Sequence, residues 1–219
     1  MSGPVFSGSL ELAAGVVLVC AAVTLWRRSL NAIVKTLAIQ GLALGAVALV
    51  LGIHQHDGGL IAVACFVAVA KGAAIPTLLR RVVRSDPTSR EAAPLINVPA
   101  SLVGAGALTL FAFATTAPVT TLLPTPAGRL IPIGLATLLI GFFAMTVRRK
   151  AVSQIVGLLL VDNGIALIAF LATSGVPLII ELGVSLDVLL VVVVLRVLAT
   201  QMGSRFGGFD LDQLRELHD

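Results

Sequence analysis

The sequence predicts an all-α polytopic membrane protein, and three observations carry that prediction. Hydrophobic residues make up 58% of the 219 and charged residues only 12%, with a mean hydropathy of +1.05, far outside the range of soluble globular domains. The apolar runs are about 20 residues long, which suits a helix crossing about 30 Å of hydrocarbon and is about twice the length of a barrel strand. Lipid offers no partner to a backbone N–H or C=O, so spans of this length close their hydrogen bonds internally, as helices.

In chain order the runs give seven spans, at about 10–26, 31–53, 60–79, 99–117, 130–147, 152–172 and 178–200. With that count, Arg27 and Arg28, then Arg80, Arg81, Arg84 and Arg90, then Arg148, Arg149 and Lys150, and finally Arg196, Arg205 and Arg215 all fall on one side. Arg129 stands alone on the other, and Lys35 and Lys71 lie within spans. The bias places the amino terminus outside and the carboxyl terminus in the cytoplasm. The formal charge of +4 is therefore a matter of topology, and nothing points to nucleic acid. The first span is long enough to cross and is followed by Arg27 and Arg28, which is not the pattern of a cleavable signal.

The connections divide the chain. Residues 1–83 form a front three-helix bundle, 84–98 a cytoplasmic loop rich in proline and mixed charge, and 99–147 connector helices. Residues 148–202 form a polar helix pair and 203–219 a cytoplasmic tail. In that tail, Asp210 with Gln213 makes a capping-box-like start, and Leu211, Leu214 and Leu217 share one face of a short amphipathic helix. An internal repeat is visible at an offset of 123 residues: Ile39-Gln40-Gly41 aligns with Asp162-Asn163-Gly164, and a basic step, Arg27-Arg28 or Arg148-Arg149, precedes each span. A real duplication makes the first three spans and the last three two versions of one bundle.

Ionisable groups inside the spans are the candidate functional residues. A charged side chain near the bilayer centre costs roughly 2.5–3.5 kcal/mol on insertion scales, so it persists where it pairs, faces the bundle interior or handles ions. Asp162 sits mid-span in the sixth run, too deep to snorkel, with Asn163 beside it. Gln154, eight residues earlier and about 80° round the helix, can share its face. Lys71 lies midway along the third span, and a nearby carboxylate would make it a switchable cation. Asp187 is deep in the seventh span, Glu181 nearer its outer end, and Arg196 close enough to the cytoplasmic end to snorkel. Pro76 and Gly72 can loosen the helix after Lys71. Titratable groups at successive depths are what a proton path requires. Cys20 and Cys65 lie in apolar runs as packing residues. His54 and His56 are two apart in a loop, without metal-ligand spacing. A retinal-binding reading needs a lysine in the last span, where this chain has none.

The segments QIVGLLLVDNGIALIAF (154–170), PLIIELGVSLDVLLVVVVLRVLA (177–199) and FDLDQLRELHD (209–219), with FVAVAKGAAIPTLLRRVV (66–83) around Lys71 and Pro76, resemble the hydrogenase-4 component E family. These are membrane subunits of formate hydrogenlyase-type group 4 nickel-iron hydrogenases. By extension the bundle is similar to the K-type subunit of respiratory complex I and the C-type subunit of multisubunit cation/proton antiporters. In those, a middle-helix glutamate before Asn-Gly belongs to the proton path, and here that position is Asp162, one methylene shorter.

The resemblance implies tandem K-type bundles in a prokaryotic inner-membrane complex. The proton path would include Lys71, Asp162, Glu181 and Asp187, supported by Gln40, Gln154, Asn163 and Arg196. Partners would be antiporter-like and other membrane subunits and, indirectly, soluble iron–sulfur and nickel-iron subunits. The chain has no cluster ligands and no nickel site, so no cofactor is expected in it and redox chemistry falls to its partners. A purely structural linker and a self-sufficient cation/proton antiporter module are the alternative classes.

Overall fold

The computed structural model describes residues 3–85, 97–148 and 151–173, all of whose regular secondary structure is helical. The elements are α1 (Gly3–Trp26), α2 (Leu30–Gln55), α3 (Gly58–Val69), a π-helical turn (Ala70–Ala74), α4 (Ile75–Ser85), α5 (Val98–Leu122), a 3-10 turn (Gly128–Leu130), α6 (Ile131–Val147) and α7 (Ala151–Thr173). α3, the π turn and α4 run on as one rod, and six helices among the described residues are long and apolar enough to cross a membrane. They coincide with the first six spans read from the sequence. The seventh span, the 84–98 loop apart from its last two residues and first two backbone positions, and the tail helix lie outside the described residues.

Two boundaries differ from expectation for local reasons. α1 begins at Gly3 because the Ser7 and Ser9 hydroxyls donate to the carbonyls of Pro4 and Phe6, so these polar residues sit inside the helix at no cost in unpaired groups. α5 continues to Leu122 through Pro118, where the Thr120 and Thr121 hydroxyls bond back to the carbonyls of Ala117 and Pro118. The α2–α3 turn is made by His56, whose φ of 56° is left-handed. Asp57 then caps α3, its carboxylate accepting from the amide N–H of Gly59 at 2.8 Å.

Lipid removes most of the hydrophobic drive between helices, so close approach through small residues holds the bundle. A Cβ added at Gly141 or Gly164 would come within 2.6 Å of the Val161 nitrogen or 2.5 Å of the Leu138 nitrogen, which shows how tightly α6 and α7 are pressed together. Gly45 meets Ala68 and Gly52 meets Ile61 between α2 and α3 in the same way. α6, read from the sequence as part of a connector, is instead the close partner of α7, as α1 is of α2. α5 is the loosely held member: Val103, Leu110 and Phe111 are exposed, and Gly104 faces Phe143 of α6.

The buried apolar residues fall into two clusters. One, around Leu10, Leu44, Val63, Leu167 and Phe170, fills the half of the bundle that ends at His54. The other, around Leu25, Ile33, Leu79, Ile140 and Leu160, fills the half that ends in the basic residues. Between them lies a buried polar layer of Gln40, Lys71, Asp162 and Asn163. At the basic end, Arg148 is buried and its Nη2 donates to the carbonyls of Thr24 (2.6 Å) and Arg27 (3.3 Å). A guanidinium there meets the negative end of the α1 dipole and ties α1 to the α6–α7 turn, although burial pulls its pKa below the ordinary value.

Gly41 separates this packing from ordinary glycine preference, because its Cβ would overlap the Lys71 carbonyl, whereas a Cβ at Gly106 meets nothing within 4 Å. Gly41→Ala should lower stability by about 1–3 kcal/mol through overpacking, and Gly106→Ala should be neutral or stabilising by up to about 1 kcal/mol. Unfolding of the two variants in mixed micelles titrated with dodecyl sulfate measures both.

Candidate functional site

The site begins with a break in a helix. Pro76 has no N–H to offer the carbonyl of Gly72, and its ring crowds that carbonyl. The helix accommodates this by widening one turn earlier, over Ala70–Ala74, where the Ile75 N–H reaches back to the Ala70 carbonyl. Such π turns are rare and occur often at functional sites. Lys71 stands in this turn, and Gly41 of α2 leaves room for its backbone.

Lys71 Nζ lies 2.9 Å from Asp162 Oδ2, and the two side chains are only 2% and 7% exposed. Asp162 is at the midpoint of α7. The next residue, Asn163, donates from Nδ2 to Gln40 Oε1 at 3.0 Å, and Gln40 Nε2 donates to the Val17 carbonyl of α1 at 3.0 Å. One connected polar layer thus links α1, α2, the π turn and α7 at mid-span. Gln40 and Asn163 are the two residues aligned by the 123-residue repeat, and they meet where α2 crosses α7.

A small cavity adjoins the pair, lined by Leu37, Lys71, Ile75, Leu159 and Asn163. It has room for about one water, and Lys71 and Asn163 supply polar partners to such a water. Leu37, Ile75 and Leu159 all lie on the basic-end side of the polar layer, within the second apolar cluster. The cavity therefore points from the ion pair toward that end of the bundle.

Chemically, a buried ammonium–carboxylate pair has two nearby states: charged, or neutral after the proton passes from Nζ to Oδ2. Desolvation favours the neutral form and mutual attraction the charged one, so a further charge or water nearby decides the balance.

The sequence left open which carboxylate Lys71 meets, and the structure brings it to Asp162. Gln40 and Asn163 join them as supporting polar groups. Gln154 does not: it is exposed, and its Nε2 donates to the Arg148 carbonyl at 3.4 Å. The 80° offset that allowed a shared face is wide enough to turn Gln154 outward, while Asp162 points to α2 and the π turn. Glu181, Asp187 and Arg196 lie outside the described residues. Lys35 is exposed and Cys20 buried. Arg148, read from the sequence only as a topology charge, is an interhelical tie.

Comparison with known proteins finds one extended likeness. The chain is 47% identical over 220 residues to the uncharacterized protein Rv0085 of Mycobacterium tuberculosis H37Rv, with 100% of each chain covered. No family model matches the chain. No solved structure matches it either.

Removing one partner of the Lys71–Asp162 pair strands the other as a buried charge. Asp162→Leu or Lys71→Met alone should each cost about 3–5 kcal/mol, whereas the double variant should recover most of that or exceed the parent. A double-mutant cycle on unfolding free energies measures it; a single variant as stable as the parent contradicts a fully formed ion pair.

Proposed function

This chain belongs to the same family as that mycobacterial protein, and we propose that it is a non-catalytic membrane subunit of a redox-driven, proton-translocating complex of the group 4 hydrogenase or complex I-like kind. The observation that supports this most is the Lys71–Asp162 pair, buried at mid-span with a water-sized cavity beside it. Intramembrane ionisable residues mark ion and proton routes more often than they mark mere packing. The resemblance of the sequence around Lys71 and Asp162 to hydrogenase-4 component E supplies the kind of complex.

In this reading the chain crosses the membrane seven times, with its amino terminus outside and its carboxyl terminus in the cytoplasm, in a prokaryotic inner membrane. Lys71 and Asp162 form the proton-holding element, and Asn163 and Gln40 fix the carboxylate's neighbour on α7 through the bond to Val17. The cavity on the basic, cytoplasmic side admits the water that exchanges the proton. Glu181 and Asp187 of the seventh span continue the path laterally. Antiporter-like subunits stand on one side and the arm bearing the iron–sulfur and nickel-iron subunits on the other. This chain carries no cofactor of its own.

A structural linker would use the same pair only to lock α7 to the π turn, and substitution separates the two readings. In the complex purified through a tag on this chain, Asp162→Asn should lower proton translocation per electron at least tenfold while the subunits still co-purify. Reduced assembly with unchanged translocation per electron identifies a linker, and normal assembly with normal translocation defeats the proton-path role.

A further inference from the structure

Among the described residues Glu11 is a second carboxylate within a span, beside Asp162, and the described bundle does not account for it. It sits in α1 about 5 Å from that helix's midpoint, and about 9 Å along the axis from Val17, whose carbonyl belongs to the mid-span polar layer. Both measures fall well within the roughly 15 Å half-thickness of the hydrocarbon. Yet Glu11 is exposed, because the face of α1 turned to the bundle is that of Leu10, Ala14, Val17, Ala21 and Leu25. Among the described residues it has no hydrogen bond or ion pair.

The surface around it has a definite shape. Gly8 and Gly15, three residues before and four after, flank Glu11 on the same face, and a Cβ added to either meets nothing within 4 Å. Leu12 and Val19 border the groove, 71% and 61% exposed. A helix can approach the α1 backbone there more closely than at any branched residue. A carboxylate at this depth then requires a cation or donor from whatever fills the groove.

We infer that the Gly8–Glu11–Gly15 face of α1 docks a transmembrane helix of another membrane protein, one that carries a lysine or arginine at the depth of Glu11. The occupant is cationic by charge complementarity. A second copy of this chain docked by the same face sets Glu11 near its own equivalent, a like-charge contact. Among the described residues, Lys71 is already engaged by Asp162, Lys35 stands in the first turns of α2 on the basic side of the polar layer, and Arg129 is exposed in the 3-10 turn before α6. The inference does not depend on proton translocation, since a partner helix is required whichever role the polar layer plays.

The test uses the full chain, fluorescently labelled, in phosphatidylcholine liposomes at pH 8. The probes are synthetic leucine-rich transmembrane helices with alanines along one face and a single lysine, leucine or glutamate at the depth of Glu11. Energy transfer should show the lysine helix binding roughly tenfold more tightly than the leucine helix, with the glutamate helix weakest. Glu11→Leu should abolish the preference for lysine. Gly15→Leu should weaken the lysine helix with the bundle still folded, as judged by its circular dichroism melt. Equal binding of the three helices, a lysine preference that survives Glu11→Leu, or self-association that outcompetes the lysine helix each overturns the inference.

Discussion

Everything near the centre of this bundle depends on keeping two opposite charges together where water is scarce. An ammonium or a carboxylate alone at that depth is expensive, so Lys71 and Asp162 constrain one another and the helices that carry them. The π turn places Lys71, Pro76 causes the turn, and Gly41 makes space for the widened backbone against α2. On the other side, Asp162 is held on a helix pressed to α6 through Gly141, Gly157 and Gly164. The glycines and the proline are thus part of the electrostatics, since they set the 2.9 Å separation.

The polar layer also explains why the apolar core is split in two. Gln40 and Asn163 spend their amides on each other and on the Val17 carbonyl, which leaves few unpaired polar atoms between the clusters and lets apolar packing resume on both sides. The meeting of Gln40 with Asn163 places aligned positions of the two sequence repeats at the α2–α7 contact. At the basic end, Arg148 reaches the carbonyl of Arg27. The aligned segments differ at the position just before Gln40 and Asn163, Ile39 against Asp162, which is why only α7 brings a carboxylate to the layer.

Much of this was legible in the sequence, and the parts that were not share a cause. Apolar run length located the six described spans, because span length is fixed by the bilayer and not by tertiary context, but α1 starts seven residues before the apolar run and α5 ends five after it. Lys71, Asp162 and Asn163 stood out because a polar residue in lipid is costly wherever it faces. Their pairing did not, since mid-span depth is known from sequence but azimuth about each helix is not. Gln154 shows the same limit: an angle of 80° is compatible with either face. Arg148 was read as a topology marker because a basic residue after a span has the same sequence appearance whether it snorkels or caps a neighbouring helix. Glu11 is inconspicuous in the sequence because the apolar run starts at residue 10, which sets Glu11 at its edge.

The proposed proton-path role requires the Lys71–Asp162 pair to change protonation as the host complex turns over. Isotope-edited infrared difference spectroscopy, with labelled aspartate and an Asp162→Asn reference, reads this directly in membranes. Turnover should produce a protonated-carboxyl C=O band that the Asp162→Asn complex lacks, with matching loss of the carboxylate band. Carboxylate absorption from Asp162 that stays constant between resting and turning-over complex contradicts that role.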